Sequence, residues 1–126
     1  MDPALETAVL KQAENGEMAC AVAFDLAVAL GVEAGEIGVA MDLKNLRITQ
    51  CQLGLFGYHP KKKITTPADS VSNDLEQALR GGTVDDRLPC KTAWTIAHRF
   101  KLPKLAVGRA CETLGIKIKP CQLGAF

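Results

Sequence analysis

The chain has 126 residues, 48% of them apolar and 23% charged, with a net charge of +1. That is the composition of an ordinary globular protein rather than a disordered, collagenous or membrane-embedded one, and the near-zero charge does not by itself mark a nucleic-acid binder. No basic stretch followed by an apolar run opens the chain, and no run of about 18 apolar residues occurs, so secretion and membrane spanning are not expected. Five cysteines in such a chain point to a reducing, cytoplasmic setting with free thiols.

Sliding the sequence along itself by 70 positions aligns Cys20–Phe56 with Cys90–Phe126 without a gap, and eleven of these positions are identical. They include Cys20/Cys90, Ala27/Ala97, Gly38/Gly108 and the whole Cys51-Gln52-Leu53-Gly54 run, repeated as Cys121-Gln122-Leu123-Gly124. The chain therefore reads as a duplication: one copy over 1–56, a linker over 57–66 and a second copy over 67–126. A piece of about 60 residues buries only roughly 60% of its unfolded surface, so the copies are expected to pack together or the chain to dimerise.

In chain order, Asp2-Pro3 and Thr66-Pro67 each place a capping side chain before a proline suited to a first helical turn, which predicts a helix running to Gly16 in the first copy and to Gly81-Gly82 in the second. A second helix is predicted over 21–30, with Phe24, Leu26, Ala27 and Leu30 on one face, then Gly31-Val32 and a third helix over 34–43. The second copy repeats this with Trp94, Ile96, Ala97 and Phe100, then Lys101-Leu102 and a helix over 104–114. Leu46-Arg47-Ile48 and Ile116-Lys117-Ile118 alternate like short strands, each followed by the Cys-Gln-Leu-Gly turn.

This spacing resembles the helix-turn-helix superfamily: a small residue where the helices cross (Ala27, Ala97), a turn glycine four residues on (Gly31), and apolar residues that lock the next helix (Ile37 and Ala40, Val107 and Ala110). The second copy departs from the pattern at Lys101, which must adopt a backbone that glycine accepts more easily. With strand, turn and return after each pair of helices, the resemblance implies a mainly α fold with short β wings (α+β), built of tandem winged helix-turn-helix modules about a pseudo-twofold axis.

The resemblance also implies DNA binding, through the helix after the turn and basic groups beside it. The first copy carries four acids over Cys20–Phe56 against Lys44 and Arg47, whereas the second is net +6 over Cys90–Phe126. Lys91, Arg99, Lys101, Lys104, Arg109, Lys117 and Lys119, with Gln122 in the turn, form the predicted contact set for double-stranded DNA, and transcriptional regulation is the expected role. The first copy is left as scaffold, homodimerisation surface or face for a protein partner. The linker lysines Lys61, Lys62 and Lys63 are a further source of phosphate contacts, although such a run is more often simply solvated.

Cys20, Cys51, Cys90 and Cys121 recur at matching places, yet no CxxC pair exists. They read as small core residues, with a zinc ion, an iron-sulfur cluster or a redox sensor as the alternative if the copies bring them together. Cys111 reads as packing. His59 and His98 have no carboxylate pattern beside them, and nucleotide-binding, metalloprotease and serine-hydrolase motifs are absent, so no catalysis and no cofactor are expected.

Overall fold

A computed structural model describes residues 3–58 and 65–124. The fold is mixed α and β, about 53% helical, with six helices and four short strands among the described residues. The first copy comprises α1 (Pro3–Gln12), β1 (Glu17–Ala19), α2 (Cys20–Leu30), α3 (Ala34–Leu43) and β2 (Arg47–Thr49). The second repeats the order with α4 (Asn73–Gly81), β3 (Arg87–Leu88), α5 (Cys90–Arg99), α6 (Lys104–Leu114) and β4 (Lys117–Ile118).

The predicted second and third helices of each copy agree with α2, α3, α5 and α6 to within a residue or so at their ends. The first helices differ. α1 stops at Gln12, and Asn15-Gly16, with φ of 53° and 76°, turns the chain so that Glu14 and Glu17 exchange backbone hydrogen bonds of 2.8 and 2.9 Å. Two consecutive positive φ values are the signature of a tight reversal that Asn-Gly accommodates well, so this glycine closes a turn rather than a helix. α4 starts at Asn73, where Ser72 Oγ accepts from the Leu75 amide at 3.3 Å and Asp74 and Glu76 lie in the first turn. Thr66-Pro67 is not a helix start. Those residues belong to no helix or strand and lie against α6, held by Arg109 and Thr113.

The expected wings also take another form. β2 pairs in parallel with β1, in the register Met18 to Ile48, and β4 pairs in parallel with β3, in the register Leu88 to Ile118. Parallel neighbours require a crossover, and the two intervening helices provide it. After β2 the chain returns only through Gln50 N to Gly57 O and Cys51 N to Phe56 O. The tip of this loop does not project into solvent: Leu53 is fully buried in the second copy's core, with Leu79, Leu88 and Val107. In return, Leu123 from the second copy is buried in the first copy's core, with Val9, Ile37 and Met41.

The division of the core therefore differs from the division of the sequence at 1–56 and 67–126. Each Cys-Gln-Leu-Gly turn completes the other copy. A Cβ added at Gly38 would overlap the Leu123 carbonyl, and one at Gly108 would overlap the Leu53 carbonyl, so the absence of a side chain on α3 and α6 lets the exchanged backbone approach. The repeat-equivalent rings of Phe24 and Trp94 meet at 4.3 Å between centroids, as residues beside a twofold axis do.

Candidate nucleic-acid interface and thiol cluster

The exposed side of α5 follows helical spacing. Lys91, Thr95 and His98 stand at i, i+4 and i+7 and all face solvent, while Cys90, Ala93, Ile96 and Ala97 face the core. Arg99 is exposed beside them, with its guanidinium carbon 5.1 Å from the Phe100 ring centroid. Lys101 is exposed in the α5–α6 turn at φ 56°, the left-handed conformation that Gly31 adopts at 67° in the first copy. Lys117 and Lys119 are exposed on either side of buried Ile118. Thr95 is absent from the predicted contacts, although its spacing from Lys91 is legible in the sequence, and His98 holds the exposed position expected of a surface or phosphate-facing residue beside Arg99.

Three predicted contacts are engaged in the fold instead. Lys104, half-buried at the start of α6, holds its ammonium 4.3 Å above the Trp94 ring. Arg109 is half-buried and its Nε donates to the Thr66 carbonyl at 3.2 Å. The adjoining chain is tied to the same side of α6 by Ala68 N to Arg109 O at 3.4 Å and Thr113 Oγ1 to Ala68 O at 3.0 Å. Gln122 places its amide nitrogen 3.6 Å from Cys90 Sγ, as Gln52 does with Cys20. The helix expected to read base edges is thus crossed by the Thr66–Ala68 segment. Lys61, Lys62, Lys63 and His59 lie outside the described residues.

The matching surface of the first copy has different chemistry. Val39 and Leu43, at the α3 positions equivalent to Arg109 and Thr113, are 52% and 58% exposed, with Glu36 and Asp42 nearby. On α2, Val22 and Val28 replace Thr92 and His98, and Val28 is 82% exposed. Asp25 is the only charged residue on that helix.

The cysteines divide by environment. Burial pushes the thiols of Cys20 and Cys51 above their ordinary pKa and that of Cys90 up to about 11. Cys111, deep in the second core, is pushed up to about 12, first by burial and then by Glu112 beside it. Cys121 is half-buried and lines an open cavity of about 400 Å3 with Glu33, Gly35, Lys91 and Gln122. Among the described residues, no three His, Cys, Asp or Glu side chains are arranged to hold a metal ion, and no helix is long and apolar enough to cross a membrane. No protein-family model matches the chain, and neither curated proteins nor solved structures give a significant match.

Proposed function

We propose that the chain is a DNA-binding protein of helix-turn-helix type, serving transcriptional regulation, which holds the phosphate backbone through the second copy. The observation that carries this reading is the group of five exposed cations, Lys91, Arg99, Lys101, Lys117 and Lys119, none in a salt bridge among the described residues. Such groups gain affinity by releasing counterions from DNA, and these come from α5, the α5–α6 turn, β4 and the residue after it instead of the outer side of α6. With Thr66–Ala68 lying on α6, the reading favours phosphate contact over base readout.

Titration of duplex DNA across a salt series tests it. Arg99→Ala/Lys101→Ala is expected to weaken binding by roughly tenfold and to lower the slope of log K against log salt by about 2, the loss of two phosphate contacts. Lys104→Ala/Arg109→Ala should change that slope by less than half as much. Absence of binding at low salt, or equal loss from the two pairs, would remove the reading.

The apolar outer side of α2 supports a second role, homodimerisation through the first copy. Asp25 is the one charge on the outer side of α2, and around it Val22, Val28 and Leu30 are exposed, more apolar surface than a solvent-facing helix side usually carries. Two chains joined there could present their basic copies to DNA half-sites about one helical turn, roughly 34 Å, apart. Sedimentation equilibrium should show a dimer that Val28→Glu dissociates without loss of helicity, and a wild-type monomer at high micromolar concentration would refute this role.

A further inference from the structure

The outer side of α6 is occupied by the chain itself. Arg109 Nε donates to the Thr66 carbonyl at 3.2 Å, Thr113 Oγ1 donates to the Ala68 carbonyl at 3.0 Å, and the Ala68 amide donates to the Arg109 carbonyl at 3.4 Å. All three bonds grip the backbone of the Thr66–Ala68 segment. The repeat puts Val39 at the position of Arg109 and Leu43 at that of Thr113, so α3 presents the corresponding surface without the two side-chain donors. Among the described residues nothing covers that surface: Val39 and Leu43 are each more than half exposed, whereas Arg109 is half-buried beside its segment.

The bare surface on α3 has a definite chemistry. Val39 and Leu43 are one turn apart on the same side of the helix, and Glu36 and Asp42, three residues before and after Val39, flank this apolar stripe on either side. The Lys44 ammonium beyond it is matched by Glu6 of α1 at 3.9 Å, while Asp42 is in no salt bridge among the described residues. Leu10 is exposed on α1 one turn past Glu6, where its second-copy equivalent, Arg80, pairs with Glu76 at 2.9 Å. Replacement of arginine and threonine by valine and leucine has removed a way of holding backbone and left a way of holding apolar side chains.

We propose that the outer side of α3 docks a peptide segment of another protein, placed as Thr66–Ala68 is placed on α6. Like its counterpart, the segment lies on the helix without forming a helix or strand of its own. It sets two apolar side chains against Val39 and Leu43, which gain by leaving water, and a lysine or arginine beside Glu36 or Asp42, which select the sign of the partner's charge. A second copy of the chain is the poorer occupant. Two α3 surfaces placed face to face would set these carboxylates against each other, and the matching surface of α6 is already filled. The docking surface is distinct from the exposed cations of the second copy and from the outer side of α2, so a chain holding DNA through one copy can hold a protein partner on the other.

The test pans a random dodecapeptide library against the full chain and titrates the resynthesised, enriched peptides by fluorescence anisotropy. Enriched sequences should share two apolar residues with a lysine or arginine beside them, and the amide NMR shifts they cause should centre on Val39 and Leu43. Val39→Arg/Leu43→Thr, which gives α3 the residues that α6 carries, should weaken binding at least about tenfold. Helicity should not change, because both side chains are exposed. Glu36→Gln/Asp42→Asn should weaken binding less and remove most of its salt dependence, with glutamine able to keep the cap that Glu36 forms on the Glu33 amide. Val28→Glu, on α2, should bind as the wild type does. No enriched peptide, an acidic consensus, or unchanged affinity in Val39→Arg/Leu43→Thr would overturn the proposal. So would a wild-type dimer that this variant dissociates, which would assign the surface to a second copy of the chain.

Discussion

Leu53→Ala is expected to destabilise the second copy of the repeat, to which residue 53 does not belong in sequence. Leu53 is fully buried with Leu79, Leu88 and Val107, and deleting such a side chain costs about 2–5 kcal/mol because the cavity relaxes only partly. As a residue of a surface turn the same leucine would matter little. Urea denaturation gives the magnitude, and amide hydrogen exchange locates it: protection should fall first in α4, α5 and α6. Leu123→Ala, at a position 3% exposed, should show the reverse pattern, with losses in α1, α2 and α3. Protection lost mainly in the mutated residue's own copy would contradict the exchange.

The same exchange explains which parts of the fold were legible in the sequence. Periodicity located α2, α3, α5 and α6, because a helix registers its buried side in residues three and four apart, whatever covers that side. It could not identify the covering element. Leu53 and Leu123 have no local partner, so a glycine-containing turn after a short strand read as a wing. Thr66-Pro67 satisfied a rule for helix starts, but the chain there is held by Arg109 and Thr113, more than 40 residues away. The cap that starts α4 is local, Ser72 Oγ accepting from the Leu75 amide, five residues past the proline that the sequence pattern favours.

For the candidate site, charge was legible and access was not. The second copy's excess of cations could be counted, but Lys104 and Arg109 looked as available as Arg99 and Lys101 until Trp94 and Thr66 were placed beside them. The duplication held a stronger signal than charge. Residues identical in both copies include Gly38/Gly108, Cys51/Cys121, Gln52/Gln122 and Leu53/Leu123, and these build the crossing. Residues that differ, such as Val28/His98 and Val39/Arg109, lie on outer surfaces. Identity between copies reports what the exchange requires, and divergence shows where each copy is free to take its own role.

Gly38→Ala should destabilise the protein by about 3 kcal/mol, at or beyond the upper end of ordinary overpacking, although alanine is the better helix former. The added methyl would occupy the position of the Leu123 carbonyl, and backbone cannot move aside as a flexible side chain can. Relief requires the turn to retreat, which withdraws the Leu123 side chain from the first core. Gly35→Ala, three residues earlier on α3, is the control: its methyl would meet only the Gln122 carbonyl at 3.9 Å, an ordinary contact, and should leave stability unchanged or raise it by up to about 1 kcal/mol. Opposite signs on one helix would exclude helix propensity as the cause. A double-mutant cycle takes the argument further, because a turn already displaced by Gly38→Ala has little of the Leu123 contact left to lose. Gly38→Ala and Leu123→Ala should therefore fall short of additivity by at least about 1 kcal/mol, within the range seen for residues in contact. Strict additivity would place the cost of the methyl elsewhere on α3 and leave the close approach without an energetic role.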